Sequence, residues 1–293
     1  MAQIYSAQEA LKHTFDSLLD FISGNIKPGI PTGFPNLDAL TGGLQHGKVI
    51  VLASRPSMGK TALALNMTWN IIHSETPSRV LYCSCVMDEV QIMSRLLCLD
   101  ADVALGCVYH EPTQIDTKKL AEAAERMKDY PLWIEPSTGL PADKFCEKIR
   151  AFVVEHPVDL IVIDTPEQMR SDDGADRAQH LSIMAKELNL PILELVTIRS
   201  RKNNFALSDL PEGVAEAADI VMFLDRKIEK RDTSESGANV TLIVEKNRIG
   251  FTGLAPLKFF PKTMKFESRE ADYEWLVQRF RDHSAKRPSV SKI

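Results

Sequence analysis

The chain has 293 residues, 44% hydrophobic and 26% charged, with a formal net charge of −5. That length holds one large α/β domain or two small ones and buries a sizeable core unaided. The acidic balance excludes a bulk electrostatic attraction to nucleic acid, so any such contact must be local. No apolar run approaches membrane-spanning length, and the opening M-A-Q-I-Y-S-A-Q-E-A lacks a signal-peptide core, which predicts a cytoplasmic location. The cysteines, Cys83, Cys85, Cys98, Cys107 and Cys146, are odd in number and lack C-x-x-C pairs, so buried free thiols are expected in preference to a metal site or disulfides.

In chain order, residues 6–22 place Ala10, Leu11, Phe15, Leu18, Leu19 and Ile22 at helical spacing, and Ser6 with Glu9 forms a capping box. The Gly- and Pro-rich run S-G-N-I-K-P-G-I-P-T-G separates this amphipathic helix from the core and reads as a linker. Its apolar stripe either folds back on its own domain or docks on a neighbouring subunit. Residues 34–44 read as a short helix ended by Gly42-Gly43.

Residues 49–65, V-I-V-L-A-S-R-P-S-M-G-K-T-A-L-A-L, pass from a β-branched strand through a tight polar loop into a helix. This is the setting of a phosphate-binding loop, in which backbone N–H groups and a helix N-terminus converge on a polyanion. Ser54, Arg55, Pro56, Ser57, Met58, Gly59, Lys60, Thr61 and Ala62 form the candidate nucleotide-binding stretch. Gly59 admits close backbone approach, Lys60 reaches the β and γ phosphates, and the Thr61 hydroxyl holds Mg²⁺. Ser54 stands where the strict G-x-x-x-x-G-K-[ST] pattern has its first glycine.

Further on, residues 79–85 predict a strand, 89–99 and 118–127 helices, 132–134 a short strand and 143–155 a helix. The run 158–164, V-D-L-I-V-I-D, is a buried parallel strand closed by an acid. Asp164 either orders the Mg²⁺ water shell or is a surface aspartate opening a loop. Residues 179–188 read as a helix, and 191–196, 219–224, 240–244 and 257–260 as strands; 271–282 predict a helix before a polar basic tail. The alternation predicts an α/β fold, a mostly parallel twisted sheet with helices on both faces and an antiparallel edge.

Several stretches together resemble the C-terminal motor domain of DnaB-type replicative DNA helicases, a RecA-like P-loop group. They are G-x-P-T-G-F-x-x-L-D-x-L-T-G-G-L (29–44), A-S-R-P-S-M-G-K-T (53–61), L-I-V-I-D (160–164), the A-K-E-L-N-L-P run ending at Pro191, A-D-I-V-M-F-L (218–224) and E-K-N-R-I-G-F-T-G (245–253). The resemblance covers roughly residues 6–267. It implies a linker helix and linker over 1–28, a motor domain over 29–268, and a C-terminal helix and tail over 269–293. It also implies that the family's N-terminal domain, where primase interacts, is lacking.

The resemblance further implies ATP and Mg²⁺ as cofactors, single-stranded DNA as partner, a hexameric ring in which the first helix packs on the adjacent subunit, and a loader or other replication proteins as further partners. It assigns catalytic roles to Lys60, Asp164, Lys246 and Arg248, the last two reaching the γ-phosphate of the neighbour's ATP, against the plainer reading of a basic surface hairpin. Where the family has S-L-E-M with a catalytic glutamate, this chain has Ser84, Cys85, Val86 and Met87. Loss of a general base costs on the order of 10² to 10⁴ in rate. Asp88, on the same strand face but displaced by roughly 6.6 Å, and Glu167 are the candidate substitutes. Thr197 replaces the family glutamine that couples nucleotide to DNA. Of the two channel loops, 169–177 is acidic apart from Arg170 and Arg177, whereas Arg199, Arg201 and Lys202 form the candidate DNA-binding set or a solvated charge run. This leaves two readings: an ATP-driven ring helicase, or a hydrolysis-impaired ATP-binding subunit of a replication complex.

Overall fold

A computed structural model describes residues 4–23, 29–110, 113–136, 139–169, 174–200, 205–226 and 237–269. The strands β1 (Val49–Ser54), β2 (Val80–Ser84), β3 (Leu132–Pro136), β4 (Leu160–Asp164), β5 (Ile192–Thr197), β6 (Ile220–Arg226), β7 (Ala238–Asn247), β8 (Gly253–Phe260) and β9 (Lys265–Ser268) make one sheet in the order β3-β2-β4-β5-β1-β6-β7-β8-β9. The neighbours from β3 to β6 pair in parallel, and β7 to β9 add an antiparallel edge.

The parallel strands are apolar at nearly every position because both faces are covered. On β1, Ile50 and Leu52 face the core beneath α3 (Lys60–Ile72) and α4 (Glu89–Ala101). Val49, Val51 and Ala53 face the core beneath α7 (Ala142–Glu155) and α8 (Gly174–Leu188). The strands and helices predicted within the described residues are present, with differences at their ends. α6 (Gln114–Met127) begins earlier than expected because Thr113 and Asp116 close a capping box. Several short elements were not anticipated: α5 (Leu105–His110), which buries no residue and so leaves no amphipathic trace, the one-turn helix α9 (Val214–Ala217), the 3-10 turns Pro166–Gln168 and Leu207–Asp209, and β9, whose K-F-E-S alternation is only four residues long. Among the thiols Cys107 is exposed, correcting the expectation of burial; the other four are buried and all five are free.

α1 (Ala7–Ile22) starts at the expected capping box, with the Ser6 hydroxyl donating to Glu9 Oε2 over 2.7 Å. Its Leu11, Phe15, Leu18, Leu19 and Ile22 are all exposed, so it does not fold back on the domain. α2 (Pro35–Thr41) ends, as expected, on Gly42 in the left-handed conformation. The predicted helix over 271–282 and the tail lie outside the described residues.

Candidate functional site

The strands β4, β5 and β1 are adjacent, with Ser54 level with Thr197 and Asp164 level with Leu195. The segments leaving their C-terminal ends therefore converge on one crevice, the usual position of a ligand site in an open parallel sheet. After β1 the loop bends through Ser57 at φ 63° and Gly59 at φ 101° before α3 begins at Lys60. A Cβ on Gly59 would lie 3.2 Å from the Phe266 ring in a conformation that side chains resist. The Ser54 hydroxyl donates to Arg55 O, and Arg55 lies over the Phe205 ring and 3.8 Å from Asp225. Ala62 is buried, Met58 packs against the α3-side core, and Pro56 is exposed.

Lys60 is buried, and its Nζ donates to Thr197 Oγ1 over 2.7 Å. Burial pushes its pKa down, opposed by the charges of Glu167, Asp164 and Glu194 in that order. The Thr61 hydroxyl donates to Asp164 Oδ2 over 2.9 Å. Asp164, 1% exposed, also receives the Tyr82 hydroxyl at 3.3 Å and, on Oδ1, the Thr165 hydroxyl at 2.8 Å. Burial, then the Asp164 charge, pushes Tyr82 well up, so it stays a proton donor. Hydroxyl plus carboxylate oxygen is a donor set for a hard cation. Mg²⁺ takes one or two carboxylates at most and completes its shell with water and phosphate, so this pair is enough for it.

Asp164 is followed by Thr165 in the left-handed conformation, φ 65° and ψ 61°, unusual for a β-branched residue. The reversal feeds a 3-10 turn, Pro166–Gln168, that lays Glu167 against the end of β5, where its Oε1 accepts the Thr197 N–H at 2.5 Å. Its Oε2 is buried with no hydrogen-bond partner among the described residues. On the opposite face of β5, Glu194 is buried and pushed up to about 7 by desolvation, with Arg177 pulling it down and Glu167 pushing it up. Arg177 is itself buried on α8, which corrects the reading of it as a loop cation. Cys85 is pushed up to about 12 by burial, then by Asp164 and Glu167.

Asp88 is elsewhere than expected. The strand β2 stops at Ser84, whose Oγ accepts the N–H of Val86 and of Met87, at 3.3 and 2.9 Å. Val86 is 58% exposed past that turn. Asp88 does not continue the strand; it caps α4, accepting the Gln91 N–H at 2.7 Å, because a carboxylate there satisfies an otherwise unpaired helix donor.

Lys246 and Arg248 lie together at the other end of the parallel strands. Lys246 Nζ donates to Ala215 O and Ala218 O at 2.6 and 2.7 Å; burial and then Arg248 push its pKa down. Arg248 Nη2 donates to Glu216 O at 2.9 Å, and Nη1 lies 3.5 Å from Asp219 Oδ1. Asp219 Oδ2 accepts the N–H of Val49, the first residue of β1, whereas the phosphate loop follows its last. The run of β1 separates them by roughly 17 Å at about 3.3 Å per residue. Arg199 is exposed beside a cavity of about 400 Å³ lined by Thr165, Glu167, Thr197 and Asp209. Arg201, Lys202 and Arg170 lie outside the described residues.

Tyr82, Thr165 and Glu194 were missed from the sequence. Only Glu194, an acid inside the apolar run I-L-E-L-V, left a signal there.

The replicative DNA helicase DnaB of Geobacillus stearothermophilus is 29% identical over 286 residues, 91% of this chain and 63% of that one. The DnaB of Treponema pallidum is 33% identical over 253 residues, 81% and 56% of the two chains. The probable plasmid replicative DNA helicase of Chlamydia muridarum is 30% identical over 288 residues, 92% and 59%. The chain thus spans about three fifths of the length of these relatives. Among solved structures, one described as an ATPase domain superposes with a TM-score of 0.80 at 24% identity, covering 92% of this chain and all of that one. A DnaB-like replicative helicase, described with its interactions with primase, superposes with a TM-score of 0.75 at 25% identity, covering 92% of this chain and 68% of that one. Residues 29–268 match the family model of the DnaB-like helicase C terminal domain, and the chain belongs to that family.

Proposed function

We propose that the chain is the ATP-driven motor of a replicative DNA helicase, working as a ring around single-stranded DNA. The observation that carries this reading is the convergence of Lys60, Thr61 and Asp164 on one crevice, with Lys246 and Arg248 at the opposite end of the same sheet's strands. A chain that holds phosphates at one end and partly exposed cations at the other completes its site by stacking on a second copy, end against end. The cations then meet the neighbour's γ-phosphate and stabilise charge developing there. The exposed stripe of α1 supplies a second contact of the same kind, since an unpartnered row of five large apolar side chains is an interface in search of cover.

In the proposed site the Gly59 turn and the N-terminus of α3 receive the phosphates through backbone N–H groups, and Lys60 neutralises their charge. Mg²⁺, held by the Thr61 hydroxyl and ordered through Asp164, supplies further neutralisation of the phosphates when bound. Thr197 links Lys60 to the segment beginning at Arg199, so a change at the phosphate is felt where DNA contacts are expected. A loader and other replication proteins are the expected further partners. Among the described residues no helix is long and apolar enough to cross a membrane.

The test is steady-state ATP hydrolysis by the full chain with and without single-stranded DNA, repeated on the R199A/R201A/K202A variant. The reading expects stimulation by DNA, and in the variant weaker stimulation with a flatter salt dependence, because fewer counterions are released. Binding of Mg-ATP without turnover under either condition supports instead a hydrolysis-impaired subunit.

A further inference from the structure

The carboxylates around the crevice are nearly all occupied. Asp164 takes the hydroxyls of Thr61, Tyr82 and Thr165. Asp88 caps α4, Asp209 accepts the N–H of Ala206 at 2.9 Å, and Asp225 lies beside Arg55. Glu194 sits on the other face of β5 from Thr197, since three residues along a strand reverse the side. Glu194 also keeps a buried oxygen, Oε1, with no partner among the described residues, but of these carboxylates Glu167 is the one fixed to Thr197 on the Lys60 side of β5. One oxygen is fixed by the Thr197 N–H while the other is buried and unpartnered among the described residues, and Thr197 also holds Lys60 through its hydroxyl. The strained Thr165 turn that brings it there is locked on both sides, its hydroxyl on Asp164 and its N–H on Leu195 O. Strain of this kind persists where the surroundings impose it and tends to mark functional sites.

We propose that Glu167 is the proton acceptor for the water that attacks the γ-phosphate, a role that rests on reading the Lys60 site as a Mg-ATP site. The water oxygen bonds to the γ-phosphorus, and the bond from that phosphorus to the β–γ bridging oxygen breaks. The bridging oxygen leaves on ADP with the electron pair, and the water proton passes to Glu167 Oε2. Lys60 from α3 and Glu194 from β5 are titratable neighbours of this carboxylate, and the nearby Cys85 thiol beyond β2 is held neutral by burial. Lys60 offers a positive charge beside the carboxylate, and Thr197 holds carboxylate and lysine in fixed relation. A base held in this way needs little reorganisation as the reaction proceeds.

The test uses the full chain with single-stranded DNA, comparing wild type, E167Q and E167D. Glutamine keeps an oxygen for the Thr197 N–H but loses proton acceptance and the negative charge beside Lys60, so Mg-ATP affinity, read by equilibrium binding, should be no weaker than wild type, and the melting temperature is measured alongside. Single-turnover hydrolysis should fall on the order of 10²-fold or more. E167D, a carboxylate one methylene short, should retain more hydrolysis than E167Q, and this comparison stands even if both variants are less stable. The proposal is overturned if E167Q hydrolyses ATP within about threefold of wild type, if E167D is no better than E167Q, or if wild type binds Mg-ATP and turns none over. Failure of wild type to bind Mg-ATP at all overturns the site reading itself.

Discussion

Lys60 Nζ and Thr197 Oγ1 are 2.7 Å apart, so the cation of the phosphate loop is tethered to the end of the neighbouring parallel strand. This bond joins the start of the helix to the end of the strand. The strand continues directly into the basic segment from Arg199.

Replacing Lys60 by Ala should weaken Mg-ATP binding about 10- to 100-fold, the equivalent of one charge-assisted hydrogen bond. Titration with a fluorescent ATP analogue measures this. Unchanged affinity would move the nucleotide away from Gly59–Ala62.

If Arg248 acts on the neighbour's nucleotide, K60A and R248A are defective at different halves of the same interface. Each alone should lack turnover, with R248A still binding Mg-ATP. Mixed and allowed to exchange subunits, the two should recover part of the wild-type rate, because some interfaces then pair an intact loop with an intact arginine. Turnover by R248A alone at the wild-type rate would leave Arg248 with the role the single chain displays, anchoring β7 to Asp219 and Glu216.

Phe15 and Leu18 are exposed on α1, so F15S/L18S should leave the melting of the isolated subunit unchanged. Burial of such a side chain is worth about 1.5–3 kcal/mol, so assembly should weaken tenfold or more. Light scattering against concentration separates the two effects. Assembly as strong as wild type would remove α1 from the interface.

Glu194 gives a pH signature. Its folded pKa is raised to about 7 from the ordinary 4.5, so the folded state binds its proton more tightly than the unfolded chain. Stability from this group is fully present below the ordinary value and is lost as pH rises to about 7, the unfolded chain having already released its proton. Arg177, Glu167 and Lys60 are the charges that face it. E194Q should therefore differ little from wild type at pH 5 and be more stable relative to it at pH 8, by at most about 3 kcal/mol. Urea unfolding at the two pH values reads the difference; a gap independent of pH would mean Glu194 does not titrate in this window.

Local patterning by itself determined the order of the longer strands and helices, the phosphate loop, the acid closing β4 and the amphipathic first helix, because these depend on residue spacing along at most some twenty positions. The words shared with a helicase family were legible for the same reason. Tertiary structure decided what spacing does not encode. Asp88, two residues past Val86 in sequence, became a helix cap because β2 ends at Ser84 and an unpaired helix donor claims a carboxylate. Glu167, which no motif marks, came to the Thr197 that holds Lys60 because a left-handed Thr165 reverses the chain at the end of β4. Lys246 and Arg248 were marked by the family resemblance as reaching a neighbour's nucleotide, but only the antiparallel pairing of β7 on β6 put them at the end opposite the phosphate loop. In each case the deciding quantity is the distance between residues far apart in the chain, which is fixed by how strands register and where they stop, and no local run of residues carries it.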